Sequence, residues 1–150
     1  MLTSFDKALL NIVQTDLPLA QRPFAELAAR LDTEEAIVLE RLRYLKDNDY
    51  IRRIGPFFDS NKLGYTGTLV AVKVEPEKLA DVARFINDYP GVTHNYEREG
   101  EFNLWFALLT PDLGLQEQIL ASIRERQGVQ KMLNLPATKK YKVSVQFKLE

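Results

Sequence analysis

The chain has 150 residues, 45% of them hydrophobic, which suffices to pack one ordinary domain or two very small ones and excludes a disordered polymer. Its 20 basic and 21 acidic residues leave a net charge of −1, short of the basic surplus that a protein living on phosphate contacts usually carries, and the absence of cysteine removes disulfides, thiolate metal sites and nucleophilic thiols together. Neither a basic leader followed by an apolar run nor a stretch near the roughly 20 apolar residues of a membrane span occurs, so a cytoplasmic location without membrane contact is expected.

Leu9, Leu10, Ile12 and Val13 share one stripe of a helix expected over 6–14, with Ser4 available as N-cap and Pro18 beyond its end. Pro23 suits a first helical turn, and Phe24, Leu27, Ala28 and Leu31 repeat the helical spacing behind it. Thr33 opens a third helix with Ile37, Val38, Leu42 and Leu45 facing inward, and Asp47-Asn48-Asp49 stops it. A strand pair is expected next, 50–54 and Phe57-Phe58 around Gly55-Pro56. It would complete a winged helix-turn-helix over residues 1–60.

From Gly64 the period changes from 3.6 to 2. Thr68, Val70, Val72 and Val74 alternate with Leu69, Ala71 and Lys73, the pattern of a strand with one face in the core. A helix over 76–88 carries Leu79, Val82, Ala83 and Ile86; Pro90-Gly91 turns the chain into a strand over 92–98, and Gly100 turns it again into 102–109. A helix over 111–126 follows, then about 15 residues without a readable pattern, then a last strand over 139–149 with Tyr141, Val143, Val145 and Phe147 on one face. Strand, helix, two strands, helix, strand is the ferredoxin-like order. The expected fold class is therefore α+β, a winged helix-turn-helix followed by a ferredoxin-like βαββαβ domain over 61–150, with the 92–98 strand at an edge.

Neither half offers a phosphate loop, a Rossmann fingerprint, a Gly-x-Ser-x-Gly elbow or a His-Glu-x-x-His helix. Unusual residue types concentrate instead between His94 and Phe106, which holds the only histidine and the only tryptophan. Strand alternation puts His94, Tyr96 and Arg98 on one face, and Asn103 and Trp105 on a face of the next strand. Imidazole, phenol and guanidinium in line supply a titratable group near neutral pH, a hydrogen-bond donor and a carboxylate fork, a combination suited to an anionic, planar ligand. The same residues admit a plainer reading: His94 as a half-buried structural residue, Trp105 as core, and Arg98 as a surface ion-pair partner of Glu97, Glu99 or Glu101. Spacing leaves both open.

The overall plan, with Gly100-Glu101-Phe102-Asn103 as a hairpin turn, resembles the leucine-responsive, asparagine-regulator (Lrp/AsnC-type) family of bacterial transcription factors, in which Asp commonly stands at the place of Asn103. More specifically, Pro18-Leu19 with Arg22-Pro23-Phe24, Ile51-Arg52-Arg53-Ile54-Gly55, Leu63-Gly64-Tyr65, His94-Asn95-Tyr96-x-Arg98 and Asn103-Leu104-Trp105-Phe106 resemble the siroheme decarboxylases, an enzymatic branch of that scaffold. The resemblance implies removal of carbon dioxide from the acetate side chains at ring positions 12 and 18 of siroheme, giving 12,18-didecarboxysiroheme for haem or haem d1 synthesis. It implies complexes of two related subunits, a heterodimer or larger, and no cofactor beyond the iron tetrapyrrole that is itself the substrate. Members often carry a second histidine two residues after the arginine; here that place is Gly100, so the partner subunit would supply a second imidazole.

On this resemblance His94 is the catalytic proton carrier or, alternatively, a ligand of the siroheme iron. Tyr96 would orient His94 or hold a carboxylate, and Arg98 would clamp one bidentately. Arg52, Arg53, Lys140 and Lys142 are weaker candidates for the remaining acids, Trp105 and Phe106 would wall the macrocycle, and Asn103 is counted with the substrate-binding set. The rival expectation is an amino-acid-responsive DNA-binding regulator. Its recognition helix would open with Thr33-Glu34-Glu35 and run on through Glu40, with Arg41, Arg43 and Lys46 only later, which is good capping and poor DNA binding. A third class, a haem-binding sensor or chaperone without turnover, would use His94 as ligand.

Overall fold

The computed structural model describes residues 1–56, 58–143 and 146–149, and the chain falls into two compact units, Met1–Pro56 with Lys142–Glu150, and Phe57–Tyr141. In the first unit, α1 (Ser4–Val13), α2 (Pro23–Arg30) and α3 (Glu35–Asp47) bury Leu9, Leu27, Ala28, Val38, Leu42 and Leu45 against one another. Each large side chain in such a core contributes about 1.5–3 kcal/mol of transfer free energy.

The first helix is capped one residue earlier than expected. Thr3 rather than Ser4 closes a capping box: its hydroxyl accepts the Asp6 backbone N–H at 3.1 Å, and the Asp6 carboxylate accepts the Thr3 backbone N–H at 2.8 Å. Asp6 is fully buried, and Arg41 of α3 forks onto it at 2.8 and 2.9 Å. The third helix begins at Glu35, not Thr33, and ends where Asp49 adopts φ 61, a left-handed turn that Asp tolerates better than most residues.

No described residue of 50–58 is in a strand, so the expected wing is not formed there; Phe57 lies outside the described residues. The reason is that the N–H groups of Tyr50 and Ile51 turn back to the Leu45 carbonyl, at 2.9 and 3.1 Å, and close the end of α3 instead of pairing with a second strand. The expected strand over 139–149 is also absent among its described residues; Val145 lies outside them. Side chains of α1 hold this segment by its backbone. Gln14 exchanges two bonds of 2.8 Å with Phe147, and Asn11 donates to the Leu149 carbonyl at 3.0 Å.

The second unit contains β1 (Thr66–Val74), a 3-10 turn (Pro76–Lys78), α4 (Leu79–Asn87), β2 (Val92–Glu97), β3 (Leu104–Thr110), α5 (Leu113–Arg124) and β4 (Val129–Leu135). The four strands form one antiparallel sheet in the order β2-β3-β1-β4. The fourth strand thus comes from the segment without a readable pattern. Its Val129 and Met132 pack inward while Leu133 and Leu135 face out, so apolar residues on both faces erase the alternation.

Both helices cover one sheet face. Val70, Val72 and Val74 of β1 and Leu104, Phe106 and Leu108 of β3 pack there on Val82 and Ile86 of α4 and Ile119, Leu120 and Ile123 of α5. Gly91 lets the α4–β2 turn close onto β3: a Cβ would stand 2.1 Å from the Leu109 carbonyl oxygen, and the Leu109 N–H donates to the Gly91 carbonyl at 2.8 Å. The opposite face carries no element of this unit, and it holds the residues with unusual chemistry.

Candidate active site

Strand alternation alone would put Val92, His94 and Tyr96 on the same face. A bulge between Val92 and His94 breaks that parity: Val92 pairs with Leu108 and His94 with Ala107, so β2 has one residue more than β3 over this step. Val92 consequently packs against the core while His94 and Tyr96 turn outward. Asn95, between them, points to the helices, donating to the Ala83 carbonyl at 3.2 Å and to the Asn87 side chain at 2.9 Å. These bonds pin the strand just past the bulge.

The cross-strand register then orders the outer face in rows. His94, Ala107, Leu69 and Leu135 form one; Tyr96, Trp105, Ala71 and Leu133 form the next; Lys73 and Lys131 stand opposite each other in the third. Arg98 ends that third row, its backbone N–H donating to the Asn103 carbonyl at 2.9 Å. Its guanidinium lies 5.8 Å from the Trp105 ring centroid, within cation–π range. The His94 and Tyr96 rings are 6.0 Å apart and tilted by 36°. His94 Nδ1 faces the Thr93 hydroxyl at 3.1 Å, and the imidazole and phenol are both exposed.

Trp105 is half-buried and its indole N–H donates to the Phe102 carbonyl at 2.7 Å, which fixes the ring on the outer face beside Tyr96. Phe106 does not join it. At 1% exposure it lies in the core on the helix side, because neighbouring residues of a strand face opposite ways, and it cannot wall a ligand with Trp105. The Asn103 amide is engaged by the chain itself, accepting the Val74 N–H and donating to the Val74 carbonyl, both at 2.8 Å. Gly100 takes φ 130, a conformation L side chains rarely adopt, so the missing second imidazole coincides with a backbone that favours glycine.

His94, Tyr96, Arg98 and Trp105 are thus brought together. Lys140 belongs to the same unit, where the Asn61 amide, turned to satisfy its neighbours, accepts from its ammonium at 2.8 Å. Arg52, Arg53 and Lys142 belong to the first unit, with Arg53 donating to the Pro56 carbonyl at 3.2 Å.

Sequence reasoning missed Lys73 and Lys131. Both ammonium groups converge on Glu101, at 3.6 and 3.1 Å, and hold its carboxyl below the usual range, Lys131 by its hydrogen bond foremost. Alternation in β1 turns Lys73 outward, whereas Lys131 lies in β4, whose apolar residues on both faces leave no alternating pattern in the sequence. Between the rows of polar groups, Leu69 and Leu133 are each 44% exposed and Leu135 41%, a contiguous apolar strip. No group of three or more His, Cys, Asp or Glu side chains that could hold a metal occurs among the described residues, and no described helix is long and apolar enough to cross a membrane.

Residues 6–52 match the family model described as the siroheme decarboxylase NirDL-like HTH domain, and residues 62–142 match the AsnC-like ligand binding domain. The siroheme decarboxylase alpha subunit of Desulfovibrio desulfuricans is 46% identical over 147 residues, which are 98% of this chain and 84% of that one. The crystal structure of the siroheme decarboxylase NirDL in complex with an iron-uroporphyrin III analogue superposes with a TM-score of 0.71 at 39% identity, covering 95% of this chain and 48% of that longer one. Escherichia coli AsnC, at 16% identity, shares the fold over 99% of both chains with a TM-score of 0.81.

Proposed function

Since the chain belongs to the siroheme decarboxylase family, we propose that it is a siroheme decarboxylase subunit that removes carbon dioxide from the C12 and C18 acetates of siroheme, giving 12,18-didecarboxysiroheme. The observation that carries this reading is the outward array of His94, Tyr96, Trp105 and Arg98 on adjoining strands, on the sheet face opposite the two helices of the unit. It joins a proton carrier, a hydroxyl, an aromatic wall and a carboxylate fork within reach of one flat anion.

Cleavage of the bond between the acetate methylene and its carboxylate leaves an electron pair on the methylene carbon. Protonation of the macrocycle gives that pair somewhere to go, a proton delivered to the carbon completes a methyl group, and the macrocycle then releases its own proton; net, each side chain takes up one proton and releases one carbon dioxide. His94 is the proton donor, with Thr93 at Nδ1 orienting the ring so that Nε2 faces the substrate. Tyr96 steadies the imidazole, and Arg98 clamps a carboxylate while its other side packs on Trp105. Lys140, of the same unit, stays a candidate for a remaining carboxylate, while Asn103 serves the hairpin. On this reading siroheme reacts without a further cofactor and the reaction runs in the cytoplasm.

The alpha subunit in the name of the Desulfovibrio relative speaks for an assembly. In this chain the strip of Leu69, Leu133 and Leu135 fits a second, related subunit, which would supply the imidazole that Gly100 lacks. DNA binding is disfavoured because Arg41, a cation of the helix expected to read DNA, is folded back onto Asp6.

The test is anaerobic incubation of the purified complex with siroheme, following the mass of the tetrapyrrole. Loss of two carboxyl groups is expected; a tetrapyrrole of unchanged mass would overturn the assignment.

A further inference from the structure

Two lysines directly opposite each other on neighbouring strands repel, and sheets ordinarily avoid the arrangement. Lys73 and Lys131 nevertheless hold these positions, and one carboxylate, that of Glu101, serves both. Arg98 closes the same row on the β2 edge, so the row keeps a cationic surplus after Glu101 is counted. Three strand spacings of about 4.8 Å separate its ends, roughly 14 Å, the width of a tetrapyrrole with its side chains. Glu101 is itself 54% exposed and follows Gly100, whose surroundings are open, so its side chain can leave the lysines without disturbing a packed element.

We propose that Lys73 and Lys131 form, with Arg98, a strip that receives carboxylates on the rim of the tetrapyrrole substrate, and that Glu101 is a resident carboxylate which the substrate displaces. The inference rests on the siroheme reading above and adds to it a subsite and an internal competitor. The physical argument is electrostatic. A substrate carboxylate arriving between the two ammonium groups replaces the interaction that Glu101 makes in the empty protein, so one carboxylate always screens the repulsion of the pair while its net positive charge is kept. A planar polyanion lying on Tyr96 and Trp105 then finds cations at the end of the sheet face where the strand residues cease to be apolar. A neutral or cationic macrocycle does not.

The experiment titrates iron uroporphyrin III into the purified complex by its absorption bands, for the wild type, K73Q, K131Q, the double variant and E101Q, at low and moderate salt. Each lysine variant is expected to weaken binding about 5- to 20-fold, the double variant more, with a smaller salt dependence. E101Q is expected to bind several-fold more tightly, a gain that no merely structural role for Glu101 would produce. Unchanged affinity in the double variant, or weaker binding by E101Q, overturns the proposal while leaving the decarboxylase reading intact if siroheme is still converted. Loss of the partner subunit from K73Q and K131Q during purification also overturns it, because the lysines would then serve assembly. A wild-type complex that neither binds the porphyrin nor converts siroheme overturns both readings together.

Discussion

The side chain of Asn103 reads the backbone of Val74 as a strand would: its carbonyl oxygen accepts the Val74 N–H and its amide donates to the Val74 carbonyl, each at 2.8 Å. The ladder between β1 and β3 ends at Val72 and Leu104, and this amide extends it by one step into the hairpin that carries Arg98 and Glu101.

Asn103→Ala removes both bonds and leaves two backbone groups of a half-buried site unpaired. A loss of about 2 kcal/mol in the second unit is expected, from the usual cost of unsatisfied buried groups. Denaturant unfolding measures it. Asn103→Asp retains the acceptor but loses the donor, so its loss should be smaller than that of the alanine variant.

His94→Ala is expected to slow decarboxylation by about 100- to 10,000-fold, the range that a positioned general acid contributes, with siroheme still bound. Single-turnover assays with saturating siroheme read the chemistry apart from binding. Spectra of the bound siroheme separate the alternative role: axial-ligand bands unchanged in His94→Ala would remove His94 from the iron.

Arg98→Ala should weaken siroheme binding and slow turnover together, because the guanidinium both clamps a carboxylate and packs near Trp105. Arg98→Lys keeps the charge but not the fork, so partial recovery of affinity is expected. A normal affinity in Arg98→Ala would count against the clamp.

Asn95→Leu tests the bulge. It removes the bonds to Ala83 and Asn87 that pin β2 just past the extra residue. Turnover should fall about tenfold with a shifted pH profile and near-normal siroheme affinity, because misplacing an acid by a fraction of an ångström costs rate more than binding. A fall in affinity alone, with the pH profile unmoved, would mean that Asn95 does not act through His94.

Asp6 predicts the acid limit of the first unit. The Arg41 fork holds its carboxyl at about 2, against 3.8 for an ordinary aspartate. The folded form therefore gains from ionisation above about pH 4 and loses that gain as pH falls through about 2, a contribution of about 2 kcal/mol. Asp6→Asn should lower the stability at neutral pH and flatten its dependence between those limits, read by circular dichroism on acid titration. An undiminished slope would assign the acid sensitivity elsewhere.

The sequence by itself determined the helical order of the first unit, the first three strands and both helices of the second, and the gathering of His94, Tyr96, Arg98 and Trp105, since apolar periodicity and local turns are written in neighbouring residues. The family motifs around them carried the chemical expectation that periodicity left open. Tertiary structure alone decided which side of the sheet each residue reached. The bulge before His94 reverses the parity that period-2 counting assigns, and Phe106 goes to the core because Trp105 does not. It also decided that the last strand is Val129–Leu135, while the described part of the tail is held by Asn11 and Gln14. Such choices depend on pairing between distant segments, where a single added residue inverts a face and a side-chain amide can take the place of a strand. Lys73 and Lys131 became neighbours only through that pairing, which is why two lysines so far apart in the chain gave no signal before the sheet was assembled.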